Sequence, residues 1–194
     1  MNARDRILER VREANVGRER VEHPGPFEGP RPPGASVSFR TAFTAAGGEF
    51  VQVADVDAAR AWLADFVEDV PSLAHGTGVP ARLLPDRPVT PPEDAALGIS
   101  LALGAVAETG SLLLSSADGR RPQLLPPVHV VLVPASGIAP TLREALLDLP
   151  DRPWSAVGLH SGPSKSADIG QILVKGVHGP GRLIALVVEE GLEE

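Results

Sequence analysis

HVVLVPAS, His129 to Ser136, decides the fold. Val130-Val131-Leu132-Val133 is apolar without alternation, rich in β-branched residues, and closed by a proline. A strand of that kind has both faces covered, as in a parallel sheet packed between layers. LIALVVEE (Leu183–Glu190) repeats the pattern, and SAVGLH (Ser155–His160) reads as another interior strand. EFVQVA (Glu49–Ala54) alternates like a strand. Asp55 then caps an amphipathic helix through Val70 that carries Ala58, Trp62, Phe66 and Val67. ARLL (Ala81–Leu84) reads as a short buried strand, and Pro140 to Leu149 as a helix with Pro140 in its first turn. Strands buried on both faces, interspersed with helices, predict a layered α/β fold with a largely parallel or mixed sheet.

AVAETGSLLLSS (Ala105–Ser116) reads as two strands around a turn at Thr109-Gly110. In open α/β sheets ligands bind beyond the carboxyl ends of the strands. Pro134-Ala135-Ser136 and His160-Ser161 stand at such ends, so both segments are places to look for a site.

Ahead of this body, Arg4 to Ala14 sets Ile7, Leu8, Val11 and Ala14 at helical spacing, a helix expected to dock on the body or on a partner. HPGPFEGPRPPG (His23–Gly34) cannot continue it, because proline removes the N–H and disfavours helix in the residue before it. The division expected is a helix and proline-rich connector over residues 1–37 and an α/β domain over 38–194.

Composition excludes several functions. A net charge of −7 without a local basic patch argues against nucleic acid or an anionic membrane surface. The chain has no cysteine, so it offers no disulfide, no thiolate zinc site and no cysteine-held iron–sulfur cluster. Its histidines are scattered singly, and no metal site is expected. MNARDRILERV lacks the apolar core of a signal peptide, and the longest apolar run, Ala95 to Ala107, is too short to span a bilayer. No membrane insertion and a cytoplasmic location are the expectations.

SGPSKSADI (Ser161–Ile169) carries the densest chemistry. A phosphate loop needs glycine immediately before its lysine, where Ser164 stands, and Pro163 removes a cradle N–H. A nucleophile elbow needs Gly-x-Ser-x-Gly, and in GLHSG the serine comes one place late. Two readings stay open. In one, Ser164 or Ser166 caps a short helix whose free N–H groups, with Lys165, hold an anion. In the other, the serines serve a plain turn. Glu108 interrupts an apolar stretch from Leu97 to Leu114, and a carboxylate there is costly to bury unless it is paired or functional.

VAETGSLLL, PPVHVVLV, SGPSKSADI and GVHGP (Gly176–Pro180) occur in the order found in the lactate-utilisation (LUD) domain family. The chain resembles its LutC/YkgG-type members from about Phe39 onward. The resemblance implies a fold like the NagB/RpiA/CoA-transferase group and a part in a system oxidising L-lactate to pyruvate. It also implies iron–sulfur proteins of the LutA/LutB type as partners, with the clusters on them and no cofactor in this chain. The motifs bring Glu108 and His129 forward as candidate catalytic residues. Thr109, Gly110, Ser161, Gly162, Ser164, Lys165, Ser166, Asp168, His178 and Gly179 become candidate binders of a small anionic ligand. An acyl- or CoA-transferase-like enzyme using Glu108, or a non-catalytic scaffold subunit, are the alternatives.

Overall fold

A computed structural model describes residues 2–18, 22, 25, 31–149, 155–167 and 173–192. The chain forms two compact units, Met1–Pro30 and Arg31–Glu194. The first holds helix α1 (Ala3–Asn15). Asn2 and Asp5 cap it reciprocally, the Asp5 N–H donating to Asn2 Oδ1 at 2.9 Å. Its apolar Ile7, Leu8 and Val11 are exposed. Most of the connector expected at His23–Gly34 lies outside the described residues, and residues 31–34 are irregular.

In the second unit α2 (Ala35–Ala45), β1 (Glu49–Asp55), α3 (Val56–Phe66) and β2 (Leu73–His75) come first. They are followed by β3 (Leu97–Leu101), β4 (Gly104–Val106), β5 (Ser111–Ser115), α4 (Arg120–Leu124) and β6 (Val128–Pro134). Next are β7 (Ile138–Ala139), α5 (Leu142–Leu147) and β8 (Val157–His160). The last strands are β9 (Lys165–Ala167), β10 (Leu173–Lys175) and β11 (Arg182–Glu190).

Five strands form a parallel sheet in the order β1-β11-β6-β3-β2. β6 and β11 are interior strands, which accounts for their unbroken apolar runs. Val130 and Leu132 face one core with Ala59 and Leu63 of α3. Val131 and Val133 face the other, with Phe39 and Phe43 of α2 and Leu112 and Leu114 of β5. Each such side chain contributes roughly 1.5–3 kcal/mol by leaving water. The second core lies against a mixed four-stranded sheet, β7-β4-β5-β8, whose far face packs Val106 and Leu113 on Ala145 of α5. The layered, largely parallel α/β fold expected from the sequence is the one observed.

Four elements differ from the expectation. Ala81–Leu83 is a 3-10 turn in which only Leu83 is buried, and the strand beside β3 is the three-residue β2. Pro80 ahead of that turn has no N–H to give a ladder. α3 stops at Phe66, with Val67 as its C-cap, short of Val70. α5 starts after Thr141, whose Oγ1 accepts from the Glu144 N–H, so Pro140 precedes the helix. The strand in SAVGLH is an edge: among the described residues β8 pairs only with β5, and its Leu159 is exposed. By contrast β4 and β5 form the hairpin read in AVAETGSLLLSS, with the turn at residues 107–110.

Candidate functional site

Two loops converge on the C-terminal end of α2. Gly110 has φ +61°, and a Cβ there would overlap the Phe43 amide nitrogen. Gly162 has φ +86°, and a Cβ there would stand 2.6 Å from the Ala46 carbonyl oxygen. Only glycine meets both demands, a left-handed backbone and no side chain. The Lys165 ammonium donates to the same Ala46 carbonyl, where the helix leaves acceptors without partners.

Residues 161–167 accordingly form no helix. Lys165–Ala167 is the strand β9, paired antiparallel with β10 so that Lys165 lies opposite Lys175. The helix cap expected of Ser164 or Ser166 is thereby corrected. The Ser164 N–H is already spent on the Pro180 carbonyl at 2.8 Å, and the Gly176 N–H donates to the Ser164 carbonyl at 2.9 Å. These partners are remote in sequence, and a backbone so engaged has no reason to coil. Ser166 lies opposite Val174 in the ribbon. Asp168 falls outside the described residues.

A line of hydroxyls ties the hairpin turn to the loop. Thr109 Oγ1 and Ser111 Oγ lie 2.7 Å apart, and Ser111 Oγ and Ser161 Oγ 2.6 Å apart. Beside Ser161 opens a cavity of about 210 Å³. His160, Ser161, Gly162 and Ser164 line it together with His178, Gly179 and Pro180. Leu124, Leu159 and Leu183 complete it. Gly179 presses on Ser164, since a Cβ on it would stand 3.2 Å from Ser164 Cβ. Five of the residues singled out in the sequence, Ser161, Gly162, Ser164, His178 and Gly179, thus line one space. His160 joins them as the strand-end residue beside Ser161, and the bridging Ser111 is not among the residues the sequence singles out. The signal for Ser111 is its place just after the turn glycine.

Lys165 is not in that lining, because its charge is used on α2. Nor is His129. It stands on β6 with its side chain fully buried between the two sheets, Nε2 3.0 Å from Ser100 Oγ. Its Nδ1 has no hydrogen-bond partner among the described residues. Burial, and secondarily His160, pushes its pKa down to about 3, so the ring is neutral. Burial also lowers the pKa of His160.

Glu108 lies apart from the cavity. The turn lifts it out of the apolar stretch into solvent, and Oε1 accepts from the Leu142 N–H at 2.6 Å. It therefore caps the first turn of α5, where a carboxylate is favoured by the helix dipole. Burial cost, the ground for expecting chemistry from it, does not arise.

A larger cavity, about 520 Å³, lies at the end of β6 beside Ser136 and Gly137, with the Arg31–Glu144 ion pair (3.0 Å) on its wall. Its lining carries the charged Arg31, Glu144 and Asp148 with Ser136, whereas two serine hydroxyls and two imidazoles meet at the smaller one. Among the described residues no group of three or more His, Asp or Glu side chains is placed to hold a metal ion.

The LUD domain model matches residues 93–188. Lactate utilization protein C of Halalkalibacterium halodurans is 37% identical over 113 residues, 54% of this chain and 49% of that protein. Lactate utilization protein C of Bacillus subtilis (strain 168) is 37% identical over 106 residues, 50% of this chain and 44% of that protein. The chain spans about half the length of these curated relatives. A DUF162 family protein from Deinococcus radiodurans, solved by crystallography, shares the fold with a TM-score of 0.58 at 21% identity. That likeness covers 79% of this chain and 96% of the solved one.

Proposed function

We propose that this chain, which carries a LUD domain over residues 93–188, is the LutC-like component of a system oxidising L-lactate to pyruvate. In this reading the cavity beside Ser161 holds a small anionic ligand of that system. One observation carries it: SGPSKSADI and GVHGP, separate in sequence, close around a single polar cavity at a strand end. The names of the curated relatives support the lactate role. Ser161 and Ser164 supply hydrogen-bond donors, and His160 and His178 supply imidazoles. Iron–sulfur partner proteins would carry the electrons, in keeping with a chain that has no cysteine. The location that goes with this role is the cytoplasm.

The test is calorimetric titration of L-lactate and of pyruvate into the purified protein and into Ser161→Ala, with and without the partner proteins. Saturable binding weakened about tenfold, the equivalent of one hydrogen bond of roughly 1.4 kcal/mol, is the result expected. No binding of either acid in any arm would reject the site.

A second reading draws on the exposed Ile7, Leu8 and Val11 of α1, which would attach the chain to its partners as a scaffold. Removing residues 1–34 should then abolish co-purification with the iron–sulfur proteins while the α/β domain stays folded. A retained complex would exclude that route.

A further inference from the structure

The cavity of His160, Ser161, Ser164 and His178 has hydrogen-bond donors but no fixed positive charge. Among the described residues no lysine or arginine lines it. Of the cations near it in sequence, Lys175 is exposed on β10 and three others are committed elsewhere. Lys165 sits on the Ala46 carbonyl, Arg182 is held on both Glu49 oxygens at 2.6 and 2.7 Å, and Arg121 pairs with Glu93 at 2.7 Å. An anion entering such a space gives up water without gaining a counter-charge, which is costly. A group that can acquire a charge removes that cost, and imidazole is the side chain that does so near neutral pH.

We infer that the cavity binds its ligand together with one proton, taken up on His160, and that the ligand class is a small monocarboxylate. This rests on the anion-site reading above and specifies it. The cavity, at about 210 Å³, is smaller than the roughly 300 Å³ at which pockets for drug-sized ligands begin, so the ligand has few heavy atoms. One ring accepting one proton balances one carboxylate.

The surroundings of His160 permit this. From β6, His129 approaches it as a neutral ring and so does not oppose a charge there. From the 176–181 loop, His178 faces the same space and is exposed to solvent. α4 contributes Leu124 and β11 contributes Leu183. β5 sets Leu112 opposite His160, and the lysine of β9 is turned to α2. Without ligand, burial favours the neutral ring of His160; a carboxylate in the cavity favours the charged one. Linkage fixes the sign. Between the pKa of His160 in the free and in the bound protein, affinity falls about tenfold for each unit rise in pH.

Calorimetry of L-lactate and of pyruvate between about pH 5 and about pH 8, the range in which histidine titrates, in buffers of differing ionisation enthalpy, counts the protons. Uptake approaching one proton per ligand is expected. His160→Gln should bind more weakly, without uptake and with an affinity flat in pH; His178→Gln should keep the pH slope. Binding without uptake and independent of pH would overturn this inference while leaving the anion site intact. Uptake that survives His160→Gln would overturn the assignment to that residue. No binding at any pH would overturn the anion site and this inference with it. Should His160→Gln fail to fold, NMR of the wild-type His160 ring decides: saturating L-lactate converts it from neutral to protonated, or it does not.

Discussion

The Ser161 hydroxyl lies 2.6 Å from that of Ser111, joining the end of β8 to the start of β5 across 50 residues of sequence. Ser111 is almost fully buried and also meets Thr109, so it holds the two motif loops in one register. Ser111→Ala leaves two hydroxyls to find other partners and should destabilise the domain by about 1–2 kcal/mol. Urea unfolding measures it. A Ser111→Ala protein as stable as the wild type would show that the hydroxyl line does not bind the loops together.

Gly110 and Gly162 are where the loops touch α2. Gly110→Ala adds a Cβ at φ +61° against the Phe43 backbone, and roughly 2 kcal/mol or more should be lost. Gly119→Ala also has positive φ, but its Cβ would meet only Pro122 at an ordinary 3.5 Å, so it should cost less. Thermal denaturation of the pair gives the order, and equal losses would mean that the contact with α2 is not what requires Gly110.

Glu108 is assigned to the first turn of α5 rather than to covalent chemistry. Glu108→Gln keeps an acceptor for the Leu142 N–H and removes the charge, so a loss of about 0.3–1 kcal/mol is expected. Mass spectrometry after incubation with acyl-CoA donors should find no adduct that depends on Glu108. An adduct present in the wild type and absent in Glu108→Gln would restore the transferase reading.

His129 makes stability depend on pH. Its folded pKa, about 3, lies below the usual histidine value, so the unfolded chain binds the extra proton. The stabilisation is complete above about pH 6.5 and is lost as pH falls towards 3, by at most about 1.4 kcal/mol per unit. His160, also lowered by burial, acts in the same direction. Urea unfolding at about pH 7 and about pH 5 should show the loss, and His129→Gln should show less of it. An unchanged slope in the variant would mean that the wild-type ring is charged or exposed.

The sequence yields elements whose residues carry their own reason. β6 and β11 are legible because both faces are buried, and the hairpin at Thr109-Gly110 because the glycine marks the turn. β2 is three residues long and owes its conformation to β3, so nothing local announces it. β8 looks interior by composition and is an edge by position. The start of α5 is legible in Thr141-x-x-Glu144, a capping pair. Within the site, residue types point to loops that do meet, while two of the charged side chains find partners far away in the chain. Lys165 is taken by a carbonyl 119 residues away, and Glu108 by a helix 34 residues on. Neither contact has a local signature.

A lactate-type acid belongs, in this reading, in the cavity beside Ser161. A crystal structure of the protein grown with L-lactate or pyruvate locates it. The carboxylate is expected among Ser161, Ser164 and His178, within hydrogen-bond reach of His160. Density for the acid in the larger cavity beside Ser136 and Arg31 instead, with the Ser161 cavity holding only solvent, would contradict it.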